Sequence, residues 1–207
     1  MTRSISAAAL AAALVPAAAP AAGGPALLVR MAAVNPTVHS YTATMHADVA
    51  LRTFPFLSAA LVGTLYHKEP DLNKVVFTSG VPAMASQFSK LFAHIESPSQ
   101  WESVYTVTPA SDDGKVTTFR LVPRKPGNVA SIVATVDDKT ALVQSMRWNY
   151  ENGGYAEMHD RYGRVGDAML VTSQTGHVEE PGYTADLTAT IGGYTLNPKL
   201  SDSLFAS

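Results

Sequence analysis

Residues Tyr41 to Leu51 constrain the fold more than any other stretch of this chain. Tyr41, Ala43, Met45, Ala47, Val49 and Leu51 fall on one side of a period-two alternation, and Thr42, Thr44, His46, Asp48 and Ala50 on the other. Successive side chains of a strand point to opposite faces, so this is a strand with one dry and one wetter face. An antiparallel sheet built of such strands can keep one face in water and curl around an apolar space. The pattern leans toward a binding or carrying protein, although an ordinary half-buried sheet has the same alternation.

More strands follow. The first runs from Thr37 to a break near Phe54-Pro55, and Leu57 to His67 returns as a second, with Gly63 marking a bulge or a close approach. Lys74 to Thr78 makes a third, and sequential neighbours of this kind form a meander. In the second half, Trp101–Thr108, Val116–Val122, Val129–Val136 and Ala141–Tyr150 are separated by turn chemistry, of which Asp113-Gly114 is the strongest hairpin signal. After Asn152-Gly153-Gly154 come Tyr155–Tyr162, Ala168–His177 and Tyr183–Ile191. With no internal repeat or linker, these roughly ten strands predict one mainly β domain with a strongly curved antiparallel sheet.

Two segments have helical rather than strand character. Pro25 to Val34 reads as a short helix closed by Asn35-Pro36, because proline suits a first helical turn and the position just past an end. Between Gly80 and Pro98, Met84, Phe88, Leu91 and Ile95 recur every three or four residues along one helical face. That stripe has to cover something: it is either packed permanently on the sheet or forms a movable lid over an apolar cavity, where flexible Met84 and aromatic Phe88 would suit varied acyl groups.

The N-terminus predicts export. Arg3 precedes an apolar run from Ile5 to Val15, then Pro16, Pro20 and Ala21-Ala22-Gly23, which reads as a secretory signal peptide over residues 1–22 ahead of a single domain over 23–207. The run falls short of the roughly 20 residues a transmembrane helix needs. A retained apolar anchor is the alternative. The chain has no cysteine, which excludes both a disulfide framework and a lipid-modified cysteine. A soluble periplasmic protein is the simplest expectation.

The sequence is poor in catalytic chemistry. A net charge of −2, from 15 basic and 17 acidic side chains, gives no reason to expect nucleic acid as a partner. Arg120, Arg124 and Lys125 read as a solvated strand end, with a lipid head group or a partner protein as the other possibility. There is no G-x-S-x-G elbow, and Ser79-Gly80 reads as turn and helix cap. His39, His46, His67, His94, His159 and His177 are scattered without ligand spacing, so no metal and no cofactor is expected. Adjacent His159 and Asp160 point to opposite strand faces. His46 and Asp48 share a face and are the one pair a hydrolase of glycans or lipids would use, while Glu179-Glu180 read as a turn before Pro181.

The chain resembles the outer-membrane lipoprotein carrier family, the LolA-like proteins and their lipoprotein-sorting relatives. The resemblance rests on S-Y-T-A-T-M-H-A-D-V at Ser40–Val49, G-T-L-Y-H-K-E-P at Gly63–Pro70 and W-E-S-V-Y-T-V-T-P at Trp101–Pro109. It continues through F-R-L-V-P-R-K at Phe119–Lys125, V-A-T-V-D-D-K at Val133–Lys139 and G-Y-T-L-N at Gly193–Asn197. It implies an incomplete β-barrel covered by helices and a non-enzymatic function. Where characterised carriers place an arginine before the proline after the second strand, this chain has His67-Lys68-Glu69-Pro70. The D-G with a following aromatic that the family carries after its third strand is replaced by Ser79-Gly80-Val81-Pro82 and the Met84 to Ile95 helix, so the cavity is expected to accept something other than a triacylated lipoprotein.

The leading expectation is a monomeric periplasmic carrier that shields acyl chains of lipoproteins or lipids, with membrane-bound donor and receiver proteins as partners. Met84, Phe88, Leu91 and Ile95 are the expected covering stripe. Met45, Val49 and Leu51 are one expected cavity wall, and Lys68 the position that regulates closure. A folded envelope interaction module with a solid core is the alternative, in which the same residues are plain core.

Overall fold

Alternating hydrophobicity decides which side of each strand is covered. In β1 (Ser40–Leu51) the residues Ala43, Met45, Ala47 and Val49 are buried while Thr44, His46 and Asp48 are exposed. The computed structural model describes residues 24–54, 56–78 and 96–206. Nine further strands follow: β2 (Ser58–Lys68), β3 (Leu72–Phe77), β4 (Tyr105–Asp112), β5 (Val116–Pro123), β6 (Val129–Asp137), β7 (Leu142–Tyr150), β8 (Tyr155–Val165), β9 (Ala168–Glu180) and β10 (Tyr183–Leu196). They form one antiparallel sheet in the order β3-β2-β1-β10-β9-β8-β7-β6-β5-β4, which does not close. Among the described strands, only the β1–β10 pair joins strands that are not sequence neighbours; it runs from Tyr41 opposite Leu196 to Leu51 opposite Ala185.

The sheet is strongly curved. One cavity is lined both by Val75 of β3 and by Met146 of β7, although six strand spacings of ~4.8 Å would hold them ~29 Å apart in a flat sheet. A buried cluster fills the concave side of β1, β2 and β10 with Met45, Val49, Leu187 and Ile191. A second cluster covers β5 to β7, where Phe119, Leu121, Ile132 and Val136 pack under the helix α1 (Gly24–Ala32) through Leu27 and Met31. Arg30, at the helix C-terminal end, donates to the Asp138 and Lys139 carbonyls at 2.7 and 2.8 Å and so ties α1 to the β6–β7 turn. Just past the helix, Asn35 exchanges two 2.8 Å hydrogen bonds with the Met169 backbone, its Nδ2 donating to the carbonyl and its Oδ1 accepting from the N–H. Asn35 sits at φ 56, a left-handed conformation that asparagine tolerates better than most residues.

The expected strands are present, most of them extended by one to five residues at an end. Gly63 is a close approach and not a bulge: the β1–β2 register is continuous through it, and a Cβ there would lie 3.0 Å from both the Phe77 ring and the Val76 carbonyl. The Asp113-Gly114 turn joins β4 to β5, with Gly114 at φ 78. Two expectations need correction. Trp101–Val104 is a single helical turn, not the start of a strand, because Pro98 opens a 3-10 turn that continues into it and the buried Trp101 indole donates to the Glu96 carbonyl at 3.1 Å. Glu179 and Glu180 belong to β9, and the turn is Pro181-Gly182, with Gly182 at φ 99. The expected helix bearing Met84, Phe88, Leu91 and Ile95 lies outside the described residues, as do Ser79-Gly80 and the N-terminal residues 1–22. Among the described residues no helix is long and apolar enough to cross a membrane.

Candidate functional site

The curvature leaves a cavity of about 720 Å³ on the concave face. Its wall is drawn from distant parts of the chain: Met31 of α1, Tyr41 of β1, Leu65 of β2, Val75 of β3, Met146 of β7, Tyr162 of β8, Leu170 of β9 and Ile191 of β10, with Trp101 beside them. Every one of these positions belongs to the inward set of its strand or to the buried stripe of its helix, so the apolar lining follows directly from the alternation. Its volume is within the ~300–1,000 Å³ common for small-molecule sites.

Polar side chains interrupt this lining, and one group of them is centred on Asp160. Asp160 of β8 accepts a 2.8 Å hydrogen bond from Nε2 of Gln174 on β9. Tyr41, Tyr162 and Tyr194 surround it as aromatic neighbours. Tyr162 donates to the Val143 carbonyl at 2.7 Å and Tyr194 to that of Val171. The Tyr41 ring stacks on His67 at 4.8 Å and meets Tyr194 edge-on at 5.5 Å, while its hydroxyl has no hydrogen bond to a described residue. Burial pushes the Asp160 carboxyl up to about 6, against the opposing pull of the Gln174 hydrogen bond and of neighbouring His159. Burial likewise raises Tyr41 to about 12 and holds the Tyr162 and Tyr194 phenols above their ordinary range.

The other charged groups along the wall are engaged elsewhere. Glu69 pairs with His39 at 2.7 Å, Asp71 accepts from the Ser97 N–H at 2.8 Å, and Lys74 donates to the Leu204 carbonyl at 2.6 Å. Glu96 accepts from the Tyr105 hydroxyl at 2.7 Å, and His67 shares a 2.8 Å hydrogen bond with Asn73.

The residues singled out from sequence are divided by this geometry. Met45, in the middle of β1 opposite Ile191, and Val49 belong to the packed cluster, with Leu51 packed against it at the strand end; none of the three is among the residues lining the cavity. Lys68 reaches the C-terminal segment, where its Nζ donates to the Leu200 carbonyl at 3.2 Å and to Asp202 at 2.5 Å. His46 and Asp48 are exposed on the convex face, across the sheet from the cavity. Among the described residues no three His, Asp or Glu side chains gather as metal ligands. Arg120, Arg124 and Lys125 are exposed, and Arg124 donates to the Glu102 carbonyl at 3.3 Å.

The Asp160 group was missed from sequence although a signal existed. Asp160 occupies the same face of β8 as buried Ala156 and Met158 and as Tyr162, so a carboxylate interrupts an otherwise dry row.

The fold recurs in solved structures at low sequence identity. A DUF1329 family protein from Desulfovibrio piger superposes with a TM-score of 0.62 at 16% identity, covering 90% of this chain and 97% of that one. A putative outer membrane lipoprotein-sorting protein domain from Vibrio parahaemolyticus gives 0.64 at 13% identity, with 86% and 93% covered. A LolA superfamily protein from Nitrosomonas europaea gives 0.61 at 11% identity, with 88% and 97% covered. No family model and no curated protein matches the sequence. The chain therefore has a LolA-like fold, an open, curved antiparallel sheet with its apolar face inward.

Proposed function

We propose that this protein is a periplasmic, non-catalytic carrier that shields acyl chains of lipids or lipoproteins in its concave cavity. The observation that carries the reading is the cavity itself, about 720 Å³ walled mainly by Met, Leu, Ile, Val and aromatic side chains. Burying a methylene is worth about 0.8 kcal/mol, so enclosing ten of them supplies about 8 kcal/mol, enough to hold a chain out of water without any chemical step. Release then requires a receiver protein or a movement of the covering segment. Met84, Phe88, Leu91 and Ile95 supply that cover in this reading, and Met45, Val49 and Leu51 form the solid floor beside the cavity. Residues 1–22 act as the export signal, and the remainder is the carrier domain.

The likeness of fold to lipoprotein-sorting and LolA superfamily structures supports the same reading. The test is titration of the purified protein with a neutral apolar dye and with fatty acids of graded length. Saturable one-to-one binding, lost in Leu170→Trp because the indole occupies the cavity, is expected. A folded protein that binds neither dye nor fatty acid refutes the carrier function.

A further inference from the structure

An acyl chain alone needs no polar partner, yet the cavity wall contains one. The Asp160 carboxylate uses one oxygen to accept from Gln174, and the Tyr41 hydroxyl beside it is left without a partner among the described residues. Among the described residues no buried side-chain nitrogen or oxygen lacks a partner, so the second Asp160 oxygen and the Tyr41 hydroxyl are open to the cavity they line, where a ligand group can bond them. The site is also asymmetric in charge. The groups facing Asp160 are the phenols Tyr41, Tyr162 and Tyr194 and the amide of Gln174; His159 lies on the opposite face of β8, and His67 is behind Tyr41, bonded to Asn73. Among the described residues no lysine or arginine is paired with the carboxylate.

We propose that Asp160, with the Tyr41 hydroxyl, is a head-group recognition site inside the cavity, selecting acyl amphiphiles whose polar end donates hydrogen bonds, an amine or a hydroxyl, over those that end in a carboxylate. This rests on the carrier reading and narrows its cargo. A donor head group pairs with the open carboxylate oxygen and supplies the proton or charge the site lacks. An anionic head group meets like charge in a poorly solvated wall and is rejected.

The experiment measures displacement of the neutral dye N-phenyl-1-naphthylamine at pH 7.5 by dodecylamine, dodecanol and dodecanoate, each below its micelle-forming concentration. The full mature chain, its Asp160→Asn variant and its Tyr41→Phe variant are compared. In the unaltered protein, dodecylamine and dodecanol are expected to displace dye at concentrations about tenfold or more below that of dodecanoate, the scale of one charge-assisted hydrogen bond. Asp160→Asn, which keeps the acceptor for Gln174, is expected to abolish the preference for the amine and to improve dodecanoate. Tyr41→Phe is expected to weaken dodecanol. Equal displacement by all three ligands, or a preference that survives Asp160→Asn, overturns the head-group assignment while leaving the carrier intact. Dye that never binds a folded protein removes the carrier reading and this assignment together.

Discussion

Asp160→Asn makes a stability prediction that is independent of any ligand. The Asp160 carboxyl is raised by burial from the ordinary 3.8 to about 6. A group bound to its proton more tightly in the folded state gives a folded protein that holds more protons than the unfolded chain between those two pH values, so stability falls as pH rises through that window. The difference of about two pH units, at about 1.36 kcal/mol each, amounts to about 3 kcal/mol, fully felt once the pH is above about 6. Asparagine is never ionised and still presents Oδ1 to Gln174. The variant is therefore expected to match the parent near pH 4 and to exceed it by up to about 3 kcal/mol at pH 7 to 8, about 6–12 °C in midpoint for a chain of this size. Asp113, Asp137 and Asp186 are held low by hydrogen bonds, from backbone N–H groups at Asp113, from Thr140 at Asp137 and from His177 and Arg52 at Asp186. Their contribution to stability is lost in acid, equally in both proteins, and cancels from the difference. Urea unfolding of the pair at pH 4, 5, 6, 7 and 8 is the assay. A difference that does not change with pH, or one that grows toward acid, refutes the assignment of a buried carboxylate that costs stability when ionised.

Asn35→Ala removes both hydrogen bonds to Met169 and places a Cβ residue without a local partner at φ 56. A loss of about 2–3 kcal/mol is expected, with hydrogen exchange accelerated in α1 and at the start of β9 before the rest of the sheet. Lys68→Met removes the ion pair to Asp202 and the bond to the Leu200 carbonyl. With Asp202 mostly exposed, the global cost should stay under about 1 kcal/mol, while protease cleavage in residues 198–206 should rise several-fold; unchanged cleavage would show that Lys68 does not secure the segment, which Ser40 and Lys74 also bond.

Strand positions were readable because alternation survives in almost every strand, as in Ala43, Met45, Ala47 and Val49 against Thr44, His46 and Asp48. The helical turn at Trp101–Val104 was not, since Val104 and Tyr105 have the β-branched and aromatic character of a strand while the helical turn depends on Pro98 and on the Trp101 contact with Glu96. The cavity's apolar character could be read, but its place could not. Met45 and Tyr41 lie on one face of one strand, and what separates packed core from cavity wall is which residues of β8, β9 and β10 come opposite them. Those partners are more than a hundred positions away in the chain and leave no trace in any local period. Asp160 shares that fate: a single carboxylate in a strand acquires meaning only when Gln174 and Tyr41 are beside it.

The strand order carries a consequence for how the molecule is made. β10, the last strand described, is the one inserted between β1 and β9. Until it arrives, β1 to β3 and β4 to β9 have no shared edge, and Met45, Val49 and Leu61 have no Leu187 or Ile191 to pack on. The β1–β10 pairing sets Tyr41 opposite Leu196, a non-local contact of the kind that slows folding. Without β10 the sheet is a three-stranded and a six-stranded piece, and its fourteen residues join them into one vessel.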